Sequence, residues 1–467
     1  MAIAAETAWL SIRELGRKLR GKEFSAVELA EFFLDRIERH GKTFNAVVTV
    51  TRELALRQAA AADRDLAAGV DRGPLHGIPY GAKDLLATAG IPTSWGAAPL
   101  KDQVLDEDAT VVRRLREAGA VLAVKLSMVE IAGGLGYEQA HASFTGPGLN
   151  PWNREAWSGG SSSGPGSAIA AGIVPFAIGS ETWGSIMTPA GYCGVSGLRP
   201  TYGRVSRHGA MALSWTMDKL GPLARTADDC GLVLAAIAGA DPADPSASER
   251  PYRYPAPEPL RPPFRLATLK GATDRVQPEV RANFEAALEA LKPHATFTEI
   301  ELPELPFNTV ASTLIACEMA AAFEGLAINE QIWEMTAPED RLGLHSSLAI
   351  PAKDYINAQR IRRKIQQAMD ALLAPFDALV GPTLSTVAGP IAVNFREYHQ
   401  AWPGKSSGGA ENSSGIPAIS VPNGFGERGL PTGLKFVGRA FEENRLLAIA
   451  AKYQQLTDWR QRRPDGL

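Results

Sequence analysis

Two glycine-rich segments hold the hydroxyls best placed for nucleophilic chemistry. Residues 158–167 read Ser-Gly-Gly-Ser-Ser-Ser-Gly-Pro-Gly-Ser, and residues 179–190 read Gly-Ser-Glu-Thr-Trp-Gly-Ser-Ile-Met-Thr-Pro-Ala. Each sets a serine, Ser161 or Ser185, among glycines, where the backbone can approach a ligand and turn its N–H groups inward. A hydroxyl in such a loop can attack a carbonyl while the amides hold the oxyanion that forms. A serine is a weak nucleophile until a base takes its proton, so the chemistry turns on where that base lies.

Other readings of the same residues compete. Gly160-Ser-Ser-Ser-Gly164 matches the nucleophile elbow GxSxG with Ser162 at its centre. An elbow needs a strand before it, whereas Asn150–Trp157 reads as polar and turn-like. Glycines ahead of a helix also bind phosphate, yet the chain has no GxxxxGK[ST], and Ile169 stands where the third glycine of GxGxxG belongs. Tight turns alone would not call for a second serine loop of similar make-up. The seven histidines show no HExxH or paired spacing, and no lysine follows a serine by three positions. Lys83 stands out in Gly77-Ile-Pro-Tyr-Gly-Ala-Lys-Asp-Leu85, behind small or apolar neighbours. It is either a buried base, its ammonium pKa depressed by desolvation, or a surface lysine paired with Asp84.

The elements that must position these groups alternate in type. Ser25-Ala-Val-Glu28 is a capping box ahead of Leu29, Phe32, Phe33 and Ile37 at helical spacing. A helix is predicted from about Asp108, carrying Val111, Val112 and Leu115 and stopping at Gly119, with a buried strand over Ala120–Val124. Small residues over Ser167–Gly172 predict a helix start behind the first loop, and Ile173–Ile178 a strand leading to the second. Eight prolines between Pro242 and Pro263 predict an irregular surface loop. Beyond it come strands over Phe264–Leu269 and about Thr296–Leu302, with a helix over Pro278–Leu291 between them. Residues 353–374 read as a basic amphipathic helix, Phe376–Val380 and Ala418–Val421 as strands, and Arg445–Leu456 as a closing helix. The alternation indicates an α/β layered fold. We read one domain over 1–467: a helical segment to about residue 70, a core over about 71–240, the loop 241–263, and an α/β portion over 264–467.

At this point the residues converge on a family. The chain resembles the amidase signature family of serine hydrolases from Ser25 to about Leu456. The resemblance is carried by residues 77–84, Asp108-Ala-Thr-Val-Val-Arg, Asn150-Pro-Trp, Gly159-Gly-Ser-Ser162, the 179–190 loop, the stretch from Cys193 to Ser206, and Gly415-Ile-Pro-Ala-Ile-Ser-Val-Pro422. It implies a mixed, twisted central sheet covered by helices on both faces. It further implies a Ser–cis-Ser–Lys triad in which Ser185 is the nucleophile, Ser161 the bridging serine in a cis peptide after Gly160, and Lys83 the base. An oxyanion hole would use backbone N–H groups from Thr182, Trp183 and Gly184 to Ser185. The chain departs from the pattern at Trp183, where the family has a second glycine. It departs again at Ser163 and Pro165 after the bridging serine, and at Met187, where an arginine is frequent. These changes point to a less polar pocket, with Met128 to Tyr137 and Trp183 as its expected walls.

Composition excludes other classes. In 467 residues with net charge −3, no basic block suggests a nucleic-acid surface. Three widely spaced cysteines form neither a disulfide framework nor a metal motif. The start lacks a signal-peptide pattern, and no uninterrupted apolar run is long enough to span a membrane, so cytoplasmic placement without cofactor, metal or membrane is expected. The expected function is hydrolysis of a small, apolar or aryl amide, with ester, anilide or carbamate (urethane) substrates also accepted; a homodimer is left open. The alternative is the glutaminase component of a tRNA-dependent amidotransferase. Arg362 lies where that component's carboxylate-binding arginine would fall, but residues 398–410 offer no acid for glutamine's amino group.

Overall fold

The computed structural model describes residues 3–467. Its strands are β1 (Val47–Val50), β2 (Pro79–Lys83), β3 (Val121–Leu126), β4 (Leu149–Asn150), β5 (Asn153–Trp157), β6 (Phe176–Glu181) and β7 (Ser196–Arg199). They continue with β8 (Lys219–Ala224), β9 (Phe264–Leu269), β10 (Ala295–Ile300), β11 (Ala378–Pro382), β12 (Ala418–Phe425) and β13 (Pro431–Val437). Eleven of them form one mixed sheet in the order β1-β3-β2-β6-β8-β7-β12-β13-β11-β9-β10. The strands β3, β2 and β6 run parallel, as do β11, β9 and β10, while the strands between these two groups pair antiparallel. Central strands such as β2, β3, β6 and β8 are buried along their whole length, which is why they read as continuous apolar or small-residue runs and not as alternating ones. Helices cover the sheet, giving the α/β layered fold that the pattern indicates.

Several helices start where their caps dictate. Ser25 Oγ accepts from the Glu28 N–H at 3.0 Å while Glu28 Oε2 accepts from the Ser25 N–H at 2.7 Å, closing the capping box of helix Ala26–His40. Thr110–Glu117 and Pro278–Leu291 form the helices expected around those positions.

Other boundaries move. The helix behind the first serine loop begins at Ser163, four residues before the expected start. Pro165 is tolerated because the first turn needs no N–H donor to its own helix. The glycines serve close packing: a Cβ on Gly164 would lie 2.5 Å from the Ser127 nitrogen, and one on Gly166 2.7 Å from Pro189. The following strand is Phe176–Glu181, later than Ile173–Ile178, because Gly172 (φ +62°) ends the helix and residues 173–175 turn the chain. Asn150–Trp157, turn-like in sequence, folds into the two-stranded ribbon β4–β5. Between Ile237 and Phe264 there is neither helix nor strand, as the prolines dictate. That loop is not purely surface, since buried Asp241 accepts from Thr110 at 2.5 Å and Ser206 at 2.6 Å.

The helix Phe307–Ile328 is long and apolar enough, by length and composition alone, to cross a membrane. Its buried Glu318 instead accepts hydrogen bonds from Ser214 at 2.6 Å, Thr216 at 2.7 Å and Tyr355 at 2.9 Å, tying the helix to the loop before β8 and to helix Ala352–Leu373.

Replacing Ser25 with Ala opens the capping box and is expected to lower unfolding free energy by about 1 kcal/mol. Urea denaturation measures this, and no change in the midpoint would contradict it.

Candidate active site

Lys83 ends β2 and Ser180 and Glu181 end β6, so adjacent parallel strands deliver them to the same carboxyl edge of the sheet. Edges of this kind are where ligands bind in open α/β sheets. Lys83 is fully buried, with Nζ 2.7 Å from Ser161 Oγ and 2.8 Å from Ser180 Oγ. Burial holds its pKa well below the ordinary lysine value, against the opposing pull of Asp218 and Glu181. Its sequence neighbour Asp84 does not pair with it. Asp84 accepts instead from Ser94 and lies 3.2 Å from the buried Lys125.

The Gly160–Ser161 peptide is cis. The Ser161 carbonyl accepts from the Val129 N–H at 3.1 Å, and the Ser162 N–H donates to the Ser185 carbonyl at 3.3 Å, so the two serine loops lie side by side. Ser162, centre of the GxSxG match, is committed to structure, its Oγ donating to the Ser180 carbonyl at 3.2 Å. Among the described residues no hydrogen bond joins Ser161 Oγ to Ser185 Oγ. Ser185 is 8% exposed and faces a cavity of about 380 Å³.

The loop Thr182–Ser185 leaves the end of β6 with Gly184 at φ +92°, a conformation that L side chains rarely adopt. Among the described residues, the N–H groups of Trp183, Gly184 and Ser185 donate to no acceptor. The next two, of Ile186 and Met187, are taken by the Glu181 carboxylate at 2.9 and 3.0 Å. Behind the loop lies a buried charge network. Arg199 bridges Glu181 at 2.8 Å and Glu411 at 3.0 Å, and Lys435 pairs with Glu411 at 2.6 Å. Arg199 together with Lys219 holds the Glu181 carboxyl at about 2, against the upward push of burial. Asp218 accepts from Thr182 Oγ1 at 2.5 Å and from the N–H groups of Leu213 and Ser214.

The cavity wall is aromatic. Trp157 stacks on Phe395 with centroids 4.4 Å apart, and Tyr137 meets both rings edge-on. These three rings line the cavity with Trp183, Tyr192 and His399, and among the described residues no lysine, arginine, aspartate or glutamate lines it. Tyr137 and Trp183 line this cavity. Met128 does not. It is fully buried in the main core and off the cavity, because the chain turns at Val129–Gly134 and presents Ala132, Gly133 and Gly134 instead. Arg362 also lies elsewhere, donating to the Ser413 carbonyl at 2.8 Å and to the Thr216 carbonyl. Sequence reasoning passes over Ser180, Glu181, Arg199, Asp218 and Lys219. For the four charged residues the available signal is their place at or next to the ends of otherwise apolar or glycine-containing strands, where burial forces each to find a partner.

With this geometry in view, comparisons with known proteins give a consistent frame. The profile of the Amidase family matches residues 28–447. The A component of the Glutamyl-tRNA(Gln) amidotransferase of Methylococcus capsulatus is 37% identical, covering 98% of this chain and 99% of its own. The solved peptide amidase of Stenotrophomonas maltophilia superposes with a TM-score of 0.87 at 33% identity, covering 98% of each chain. The solved A component of the Thermotoga maritima Glutamyl-tRNA(Gln) amidotransferase gives a TM-score of 0.79 at 27% identity, covering 96% of this chain and 95% of its own.

Glu181→Gln removes one carboxylate from the buried network and leaves Arg199 short of a partner. The expected loss of stability is about 3 kcal/mol, the scale for breaking a buried ion pair. Urea denaturation tests this, and a loss under about 1 kcal/mol would contradict it.

Proposed function

This chain belongs to the amidase family, and from that premise we propose that it hydrolyses the C–N bond of a small, neutral, apolar or aryl amide through a serine acyl-enzyme. Esters, anilides and carbamates fall within the same chemistry. The observation that carries the substrate class is the cavity beside Ser185, walled by aromatic rings with no charged side chain. A zwitterionic substrate would have to shed its hydration there without a counter-charge, at a cost of several kcal/mol. An aryl or alkyl amide instead gains from burial against those rings.

In the proposed relay, Lys83 is an uncharged amine with a lone pair directed at Ser161. As Ser185 Oγ attacks the carbonyl carbon, its proton passes to Ser161 Oγ and the Ser161 proton passes to Lys83 Nζ. The oxyanion settles among the N–H groups of the Thr182–Ser185 loop, which the protein leaves without acceptors. Collapse breaks the C–N bond, and the relay returns the proton to the leaving nitrogen. Water then enters, loses its proton by the same route, and releases the acid as Ser185 is restored. Reading the chain as one unit over 1–467 fits this chemistry, since the groups come from distant segments of one sheet.

The second reading is the glutaminase component of a tRNA-dependent amidotransferase. The names of the full-length curated relatives weigh towards it more than towards the first reading. Against it stand the position of Arg362, spent on backbone carbonyls, and the uncharged cavity.

Three outcomes are expected. Ser185→Ala abolishes hydrolysis of an aryl nitroanilide by the full chain. Lys83→Met lowers kcat/KM by about 10²–10⁴-fold, the range for a lost general base. Because the base acts unprotonated, wild-type kcat/KM falls as pH drops through the depressed Lys83 pKa. An active Ser185→Ala variant would refute the assignment, and turnover of glutamine only with partner proteins would favour the second reading.

A further inference from the structure

A second buried lysine stands behind the loop that the relay faces. Lys219 opens β8 directly opposite Glu181 at the end of β6, and only 2% of it is exposed. Its Nζ donates to the Thr182 carbonyl at 3.1 Å and to Asn412 Oδ1 at 3.0 Å. Asn412 is itself oriented by its amide donating to the Gly408 carbonyl at 3.0 Å. The Thr182 carbonyl belongs to the same peptide group as the Trp183 N–H, and that N–H has no acceptor among the described residues. A cation bonded to a peptide oxygen draws charge through the amide and makes its N–H a stronger donor, the cooperativity of linked hydrogen bonds in a low dielectric.

We propose that Lys219 is a positioning residue for the reaction, its ammonium polarising the Thr182–Trp183 peptide so that the Trp183 N–H binds the oxyanion more strongly. The proposal rests on Ser185 being the nucleophile and adds a residue to the relay described above. Four charged groups act on Lys219. Glu181 on β6 and Asp218 beside it favour the ammonium, while Arg199 on β7 and Arg362 on helix Ala352–Leu373 oppose it. Burial is the largest influence and brings Lys219 down to about 7. The sign follows directly. Lys83 must be neutral to act, so activity rises with pH on the acid side; Lys219 must be charged to act, so activity falls on the alkaline side. Two buried lysines of opposite required charge give a bell-shaped kcat profile.

The test uses the full chain with an aryl nitroanilide and the variants Lys219→Met and Lys219→Gln. Both should lower kcat at neutral pH by about tenfold, less than the loss of a whole oxyanion donor, while KM stays within about twofold. Both should weaken binding of an aryl trifluoromethyl ketone by a similar factor and remove the alkaline limb of the kcat profile. The Gln variant retains a donor for the Thr182 carbonyl but carries no charge, and it carries the test alone if the Met variant does not fold. Wild-type kcat in the Gln variant, an alkaline limb that persists in it, or a wild-type profile with no alkaline limb up to about pH 10 would overturn the proposal. Labelling of Ser185 by a fluorophosphonate, run in parallel, separates the two layers. Absence of the label in the wild type strikes the nucleophile assignment, whereas normal labelling with unchanged kcat strikes Lys219 alone.

Discussion

The structure turns on taking one amine out of water without giving it a counter-ion. Lys83 sits at the end of a fully buried strand with two serine hydroxyls as its polar company, and desolvation disfavours its charged form. Lys125, on the neighbouring strand, shows the other solution. It is equally buried but faces Asp84 at 3.2 Å. Two equally buried lysines on adjacent strands therefore differ in the presence or absence of one facing carboxylate. A buried cation without a partner would cost several kcal/mol, and burial accordingly pushes the Lys83 pKa down.

The carboxylates near Lys83 would undo that arrangement if they were unpaired. Glu181 is adjacent in the sheet, but its charge is spent on Arg199 and on two backbone N–H groups. Asp218 is spent on Thr182 and on the turn at Leu213–Ser214. The same bonds fix both ends of the Thr182–Ser185 loop, so the network that pairs these carboxylates also sets the direction of the Trp183, Gly184 and Ser185 N–H groups, which among the described residues meet no acceptor. The electrostatics around Lys83 and the geometry of this loop thus depend on the same partners. The aromatic wall adds the third component, an apolar surface on the Ser185 side.

Much of this was legible in the sequence, for identifiable reasons. The capping box at Ser25, the glycines of both serine loops and the prolines over 242–263 act locally, so their effect does not depend on the rest of the fold. The roles of Lys83, Ser161 and Ser185 follow from the family resemblance and its ordered motifs, since the residues alone leave Lys83 open between a buried base and a surface lysine paired with Asp84. What was not legible depended on contacts across the sheet. Met128 and Tyr137 lie nine positions apart, yet one faces the core and the other the cavity, and only the turn at Val129–Gly134 separates their fates. Phe395 and Tyr192 complete the wall from distant segments. The helix start at Ser163 was missed because packing against Ser127 and Pro189, and not helix propensity, sets it.

The charge on Lys83 can be read directly. With lysine side-chain nitrogens labelled by ¹⁵N, the Lys83 resonance is identified by its loss in Lys83→Met and followed against pH by NMR. A neutral amine signal is predicted at pH 9, where an ordinary lysine is still ammonium, converting to ammonium on acidification. An ammonium signal persisting above pH 9 would show that burial does not strip the proton, and the proposed base would be lost with it.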